Sequence, residues 1–465
     1  MNSTTSFSPS RLFSLCIIAG LFILSAACTQ PTTMDAVAPV SKVEHPEWSK
    51  NATIYEVNVR QYTPEGTFNA FSEHLPRLKE MGVDILWFMP IHPIGKINRK
   101  ENENSMGSYY SVQDYKAVSS DYGTEEDFRR MVEQAHGLGM KVILDWVPNH
   151  TAWDNPWTEN KDWYVLNEEG DFIPPLGTDW TDVIQLDYTN EEMRAAMIDA
   201  MKYWVAEFGV DGYRCDVAGK VPTDFWVRAH AELDEVKDVF MLAEDGEPEL
   251  LIEAFDMNYA WEYAHIIREI AKGEMTFDRL DSLLAEDAKK FPDNSYRMYF
   301  TSNHDENSWN GTDLEMYGDN FQNFAVLSAT IDGMPLVYSG QEAVLDKQLL
   351  FFEKDEIEWK DYALVDFYTD LLALNKRNEA LWNGAHGANP MRISSPEGTY
   401  AYQRNKDDFG VYVGLNNTQM TQEISFPLEA GTIYKVYGME TVEYEATGND
   451  VMSVPANSWV IVSTH

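Results

Sequence analysis

The chain has 465 residues, enough for one large domain and a smaller one, and its 44% hydrophobic content is ordinary for a globular protein. Its 35 basic and 76 acidic residues give a formal net charge of −41. That charge repels phosphate backbones, which argues against nucleic acid as a partner, and it favours neutral substrates over polyanions. A salt-rich habitat would explain the acidic excess equally well.

The first 28 residues form a predicted lipoprotein signal peptide. Arg11 precedes an apolar run over 12–24, which has the length of a signal-peptide core and is too short to span a bilayer. The run ends in LSAAC (24–28), which resembles the bacterial lipobox, so Cys28 is the predicted lipidation site. Ordinary cleavage just before this cysteine is the alternative.

Residues 29–45 are rich in Thr, Pro, Ala and Val and are predicted to form a flexible tether. The chain is therefore expected to be exported and held on a membrane by lipid. Thr29 follows Cys28 where an Asp would favour retention at the inner membrane. In a bacterium with two membranes we expect the outer membrane, with the protein facing the periplasm or the outside.

The barrel domain, predicted over 46–385, contains eight apolar segments rich in β-branched and aromatic residues. These candidate strands are 52–59, 83–90, 141–147, 210–217, 239–244, a weaker 255–259, 298–304 and 335–340.

Segments with helical periodicity lie between the candidate strands. The segment 124–139 begins with a capping-box-like pair, Thr124 and Asp127, and ends at Gly139. The other predicted helices are 67–81, 190–208, 223–236, 276–291, 318–332 and 363–381. Strands that alternate with helices predict an α/β protein with parallel strands, and eight such strands predict a closed (β/α)8 barrel. An open doubly wound sheet is the alternative, but no glycine-rich phosphate loop follows the first strand.

Two segments depart from this alternation. Residues 151–187, after the third strand, are rich in Trp, Asp, Asn and Pro and have no helical period, so they are predicted to form an inserted loop subdomain beside the site. Residues 386–465 contain short alternating runs separated by Gly, Asn and Pro, which predict a C-terminal antiparallel β-sandwich.

Acidic residues follow four of the strands. Asp145, Asp216, Glu244 and Asp305 each lie within a residue or two of the end of an apolar run. Because the carboxyl ends of barrel strands meet at one mouth, these four side chains are predicted to converge. Cys215 lies between Arg214 and Asp216 on a strand, so its side chain should point to the opposite face and serve as a small buried hydrophobe.

From about residue 50 to residue 465 the chain resembles glycoside hydrolase family 13, the α-amylase family. Seven motifs in order carry the resemblance: WFMPI (87–91), YSVQDY (110–115), DWVPNH (145–150), GYRCD (212–216), the strand ending in Glu244, SNHD (302–305) and GMPLVYSGQE (333–342).

The resemblance implies a retaining α-glycoside hydrolase that acts on α-glucans or maltooligosaccharides through a covalent glycosyl-enzyme. It makes Asp216 the nucleophile, Glu244 the general acid and base, and Asp305 a brace for the sugar and the transition state. It places Arg214 beside Asp216 to keep that carboxylate ionised, while the apolar run before Glu244 favours the neutral acid.

Further site residues follow from the same resemblance. Tyr110 would stack beneath the sugar, and His150 and His304 would hydrogen-bond it. Asp145 and Asn149 are expected to be structural. Trp146, Trp153, Trp180 and Trp309 could each be a sugar-stacking platform or ordinary packing.

The chain departs from the family pattern after the nucleophile. Many relatives carry Lys-His at the third and fourth positions, and the His helps to hold calcium, whereas Gly219 and Lys220 stand here. No cofactor is therefore expected to be required, and the case for Asn149 as a calcium ligand is weakened. Asp245 adds a carboxylate directly after Glu244, with no role assigned by the pattern.

Two other functional classes stay open on the motifs alone. A glucanotransferase or a trehalose synthase-type isomerase could use the same barrel, because a sugar can intercept the covalent intermediate in place of water. A catalytically inactive glycan-binding lipoprotein could also share the fold. The joint presence of Arg214, Asp216, Glu244 and Asp305 argues against the inactive class.

Overall fold

The computed structural model of the protein describes residues 39–100, 104–438 and 440–465. The predicted signal peptide, with the lipidation site Cys28, lies outside these residues, as does most of the predicted tether. Within the described ranges, no helix is both long enough and apolar enough to cross a membrane.

Eight parallel strands close into a barrel, which confirms the predicted fold class. Each strand of the barrel pairs with the barrel strands that precede and follow it in the sequence. The first strand also pairs with the eighth, which closes the barrel. The strands are Ile54–Val57, Ile85–Phe88, Lys141–Trp146, Gly212–Cys215, Phe240–Ala243, Met257–Tyr259, Tyr296–Tyr299 and Met334–Tyr338.

Alternate residues of these strands fill two apolar layers. Ile54, Ile85 and Ile143 belong to the cluster inside the barrel. Their neighbours Tyr55 and Leu86 belong to the cluster between the strands and the surrounding helices. Both faces of each strand are thus buried, as expected for a parallel barrel.

Helices surround the barrel at the predicted places, with two differences. The main helices are Phe68–Ser72, Leu75–Met81, Glu125–Gly137, Glu191–Phe208, Thr223–Asp234, Trp261–Ala271, Phe277–Lys290, Phe321–Thr330 and Val365–Arg377, and the shorter ones are Val59–Tyr62, Leu250–Glu253 and Asp313–Tyr317. The predicted helix 67–81 is two helices, because the second begins anew after His74 with Pro76 in its first turn. The helix Trp261–Ala271 was not predicted.

The helix Glu125–Gly137 begins with the predicted capping box. The hydroxyl of Thr124 accepts from the backbone N–H of Asp127, and the Asp127 carboxylate accepts from the backbone N–H of Thr124. This local exchange satisfies two N–H groups that the helix itself cannot pair.

The inserted segment after the third strand is tied together at its base. The strands His150–Ala152 and Val183–Gln185 pair in an antiparallel manner. Between them lie two short 3-10 helices, Pro156–Glu159 and Lys161–Trp163. The segment therefore leaves the barrel and returns at one point, beside the carboxyl end of the third strand.

The C-terminal region consists of two antiparallel sheets. The larger has six strands, and the smaller has two strands packed on it at Gly414, where a Cβ would lie 3.0 Å from both Ile424 and Phe426. In spatial order the larger sheet contains Met391–Ile393, Thr399–Lys406, Phe409–Asn416, Ser458–Ser463, Ile433–Tyr437 and Val442–Glu445; the smaller contains Gln422–Phe426 and Asp450–Val454.

The last residues of the predicted tether are packed on the barrel, so the prediction of flexibility up to residue 45 is wrong there. The backbone N–H of Lys42 donates to the carbonyl of Ile252 at 2.7 Å. His45 contacts the Asp256 carboxylate and the Asn294 carbonyl, each at 2.7 Å. These bonds hold the chain at the end of the barrel where the strands begin.

Candidate active site

A cavity of about 350 Å³ opens at the carboxyl ends of the barrel strands. Six of the predicted site residues line it: Tyr110, His150, Asp216, Glu244, His304 and Asp305. Arg214 and Asp145 are fully buried immediately behind this wall. The predicted convergence of four carboxylates from distant strands is therefore present.

Arg214 lies at the centre of the carboxylate group. Its Nη1 donates to Asp145 at 2.8 Å and to Asp216 at 3.1 Å. Its Nη2 lies 3.0 Å from Oε1 of Glu244, but this ion pair is not aligned as a hydrogen bond. The buried Nη2 of Arg214 thus lacks an aligned acceptor.

Arg214 lies at nearly the same distance from Asp216 and Glu244, although only its contact with Asp216 is aligned as a hydrogen bond. Burial and the neighbouring Glu244 carboxylate raise the pKa of Asp216, and Arg214 opposes them. The two carboxyl groups therefore compete for the same cation. The expected hydrogen bond from Arg214 to Asp216 is present, and the same guanidinium also contacts Glu244.

The backbone after Asp216 is strained and binds Glu244. Val217 has φ 39° and ψ 46°, a left-handed conformation that β-branched residues rarely adopt. Its N–H donates to Oε2 of Glu244 at 2.7 Å. The strain thus coincides with a direct link between the loop after the fourth strand and the carboxyl group on the fifth.

His304 lies in a chain of hydrogen bonds that the sequence did not reveal. Its Nδ1 is 2.5 Å from Oε1 of Glu56, a fully buried residue of the first strand, and its Nε2 is 2.8 Å from the Tyr110 hydroxyl. Burial alone would lower the pKa of His304, but Asp305 and Glu56 raise it to about 9. A protonated His304 donates at both nitrogens, so the Tyr110 hydroxyl is free to donate to Asp145 at 3.2 Å.

Asp145 is held entirely by protein groups. It accepts from Arg214, from the Tyr110 hydroxyl and from Trp87 Nε1, the last at 3.2 Å. Burial raises the pKa of Asp145 to about 6, with Arg214 and His304 acting in the opposite sense. These contacts suit a residue that orders Arg214 and Tyr110.

His150 and Asn149 follow the third strand. The Asn149 amide lies 3.2 Å from Nδ1 of His150. Burial lowers the pKa of His150 to about 3, and Lys220 acts in the same direction, so this imidazole is neutral at physiological pH. His150 lines the cavity, whereas Asn149 does not.

The surroundings of Asn149 do not fit a carboxylate-rich calcium site. Its backbone carbonyl accepts from the Leu186 N–H at 3.1 Å. Among the described residues there is no group of three or more His, Cys, Asp or Glu side chains that could hold a metal ion. Ca²⁺ binds through oxygen ligands, among which Asp and Glu carboxylates supply the negative charge.

The two departures at Gly219 and Asp245 meet in space. A Cβ on Gly219 would lie 2.1 Å from Oδ2 of Asp245. The Asp245 carboxylate therefore fills the space that any side chain at 219 would enter. The next residue, Lys220, places its ammonium 5.1 Å from the centre of the Trp180 ring.

The four candidate tryptophans have different environments. Trp146 is fully buried in the core, so it is packing. Trp153 donates through Nε1 to the carbonyl of Thr181 at 3.0 Å and is not part of the cavity wall. Trp180 and Trp309 line the cavity, and Trp309 is 59% exposed.

Sequence reasoning named Trp309 as a candidate but missed Phe351, another aromatic residue of the wall. Trp309 lies on a single turn of π-helix, Glu306–Asn310, and its ring is 5.6 Å from that of Phe351. The Phe351 ring is nearly parallel to Tyr110, 6.1 Å away. The dipeptide FF (351–352) in the segment after the eighth strand was the available signal, but its position in the cavity depends on long-range packing.

The model of the α-amylase catalytic domain matches residues 45–179 and 160–383. The chain therefore belongs to the α-amylase family. An α-amylase of Haloarcula japonica is 26% identical over 422 residues, which cover 86% of this chain and 60% of the relative. The chain thus spans less than two thirds of that relative's length.

Two solved structures of similar extent agree with this assignment. An α-amylase from Lactobacillus plantarum is 30% identical, with a TM-score of 0.77, over 89% of this chain and 98% of its own. A maltogenic α-amylase from Thermotoga neapolitana is 28% identical, with the same TM-score and the same coverage.

Proposed function

We propose that the protein is a retaining α-glycoside hydrolase that cleaves α-glucans or maltooligosaccharides. The observation that carries the proposal is the single guanidinium of Arg214, which lies 3.1 Å from Asp216 and 3.0 Å from Glu244 at the wall of one cavity. Retaining glycosidases need two carboxyl groups about 5 to 5.5 Å apart, whereas inverting enzymes leave room for a water between them. Sharing one guanidinium favours the shorter separation.

In the proposed first step, Asp216 attacks the anomeric carbon and forms a glycosyl ester. The bond to the leaving oxygen breaks, and Glu244 gives that oxygen its proton. In the second step, Glu244 takes a proton from water, which attacks the same carbon and releases Asp216. Asp305, Tyr110, His150 and His304 would bind the sugar, while the buried Arg214 would hold the carboxyl pair in place.

The acidic chain and the aromatic part of the cavity wall suit an uncharged sugar. The net charge of −41 disfavours phosphorylated substrates, and the aromatic rings of Tyr110, Phe351 and Trp309 offer apolar faces to a pyranose ring. Both similar solved structures are described as α-amylases, one of them maltogenic, and these descriptions support maltooligosaccharides as the substrate class.

The test is the hydrolysis of maltooligosaccharides by Asp216→Asn and Glu244→Gln. Each variant should lose at least ~10³-fold in kcat while its circular dichroism and melting temperature stay close to the wild type. Asp238→Asn, an exposed carboxyl-to-amide change before the fifth strand, is the matched control and should keep full activity. Near-normal turnover of Asp216→Asn would remove this residue from the mechanism.

We also propose that the protein works without calcium. The support is the absence of a His at 219 or 220 and the poor fit of Asn149 to a calcium site. Exhaustive chelation should therefore leave most of the activity. A strong loss that added calcium reverses would show that other groups supply the ligands.

Finally, we propose that the protein is exported and lipid-anchored through Cys28, at the outer membrane of a two-membrane bacterium. The support is the apolar run over 12–24 followed by LSAAC (24–28), together with Thr29 in place of an inner-membrane retention signal.

A further inference from the structure

We propose that Trp180 is the platform for the sugar on the leaving-group side of the scissile bond, and that Lys220 holds this ring in place. The pair would then determine how well the protein binds a leaving or incoming sugar. The inference rests on the proposed function, in which Glu244 is the general acid.

The position of Glu244 defines the leaving-group side of the cavity. The general acid must lie next to the oxygen that departs. Oε2 of Glu244 accepts from the N–H of Val217, which begins the turn that continues through Gly219 to Lys220. The leaving sugar must therefore pass close to this turn.

Trp180 reaches the same side from the inserted segment. Its ring is half-buried in the cavity wall and lies 5.4 Å from the ring of His150. The Lys220 ammonium is 5.1 Å from the ring centre, within the range of a cation-π contact. Trp180 lines the cavity and Lys220 does not, so the indole is the member of this pair that a sugar in the cavity would meet.

The contact between Gly219 and Asp245 lies at the same turn. Because residue 219 is glycine, no side chain at that position enters the space that Asp245 fills. The Asp245 carboxylate fills the space beside Gly219, and the next side chain along the turn, Lys220, is the one that meets Trp180. A large flat ring in that position can stack on a pyranose.

The test compares two substrates that form the same glycosyl-enzyme. Maltotetraose must place a sugar on the leaving-group side, whereas α-maltosyl fluoride leaves only fluoride. We expect Trp180→Ala to lower kcat/KM for maltotetraose about 10-fold and to change kcat/KM for the fluoride less than twofold. Transfer of the maltosyl group to added maltose should fall in the same variant.

Variants at Lys220 separate the effect of its positive charge from the effect of its aliphatic stem. Lys220→Met keeps the aliphatic stem and removes the cation, so it should lower kcat/KM for maltotetraose in the same selective way, but less than Trp180→Ala does. Lys220→Arg keeps a cation over the ring and should restore most of the loss. Trp180→Phe, which keeps an aromatic face, should lie between Trp180→Ala and the wild type.

Two matched controls use other tryptophans. Trp163→Phe changes the same inserted segment outside the cavity and should leave both substrates unaffected. Trp309→Ala removes a ring from another part of the wall and should not produce a loss confined to maltotetraose. Equal losses on both substrates in Trp180→Ala, or no loss on either, would overturn the inference. A wild type that hydrolyses neither substrate would instead overturn the proposed function on which it rests.

Discussion

Glu56 and His304, 248 residues apart in the sequence, are joined by a buried contact of 2.5 Å between Oε1 and Nδ1. The Glu56 side chain is fully buried, and its second oxygen accepts from the backbone N–H of His304. A buried carboxylate needs a compensating charge, and the neighbouring Asp305 and this buried Glu56 together raise the pKa of His304.

We predict that Glu56→Gln lowers the pKa of His304 from about 9, as read from the imidazole nitrogen shifts in the NMR spectrum. The pKa of His304 in the folded protein exceeds its value of about 6.5 in the unfolded chain. Protonation of His304 beside Glu56 therefore stabilises the fold, and this stabilisation is fully present below pH ~6.5. This contribution, up to ~3 kcal/mol, is lost as the pH rises through about 9. The variant should show a much smaller decline over that window. The exposed carboxylate Glu65, changed to Gln, provides the control, and equal pH dependence in the wild type and Glu56→Gln would contradict the prediction.

The contact between Gly219 and Asp245 predicts a non-additive pair of substitutions. Gly219→Ala places a methyl group 2.1 Å from Oδ2 of Asp245, which must move. In an Asp245→Ala background the same change should be tolerated. Thermal unfolding of the four proteins should give a coupling energy of about 0.5 to 3 kcal/mol, and additive effects would show that Asp245 has free space to move into.

Retention predicts the first product. With a soluble maltooligosaccharide, proton NMR at early times should show the α-anomer before mutarotation, because two displacements at one carbon restore its configuration. The β-anomer as first product would mean a single displacement by water, and the glycosyl ester on Asp216 would be wrong.

Anchoring is checked by cell fractionation. Expressed in a bacterium that processes lipoproteins, the wild type should partition with membranes, and Cys28→Ser should lose its acyl chains and become soluble. Cys16→Ser, inside the apolar run but outside the lipobox, should behave as the wild type. Equal solubility of wild type and Cys28→Ser would support ordinary cleavage.

The features that could be predicted from the sequence depend on local patterns. The capping box of Thr124 and Asp127 and the eight strands each need only nearby residues. The helix Trp261–Ala271 could also have been predicted from the sequence. Its buried residues are spaced as one apolar face: Tyr263, Ile266, Ile267 and Ile270.

The features that were missed depend on long-range packing. In the sequence, Glu56 is a single polar residue in an apolar strand. Nothing near it in the sequence indicates that His304 is its partner. Gly219 and Asp245 each looked like an isolated departure from the family pattern. Only the closure of the barrel brings the fourth and fifth strands, and hence these two residues, together.

Cys215 lies between Arg214 and Asp216 but points outward, into the apolar layer between the strands and the helices, as predicted. Burial raises the pKa of its thiol, so a thiol reagent can attack only when this layer opens. In a variant without Cys16 and Cys28, the rate of alkylation at Cys215 therefore reports how often the structure around the fourth barrel strand opens. This is the strand that Asp216 directly follows. A maltooligosaccharide bound to the closed form should slow that rate.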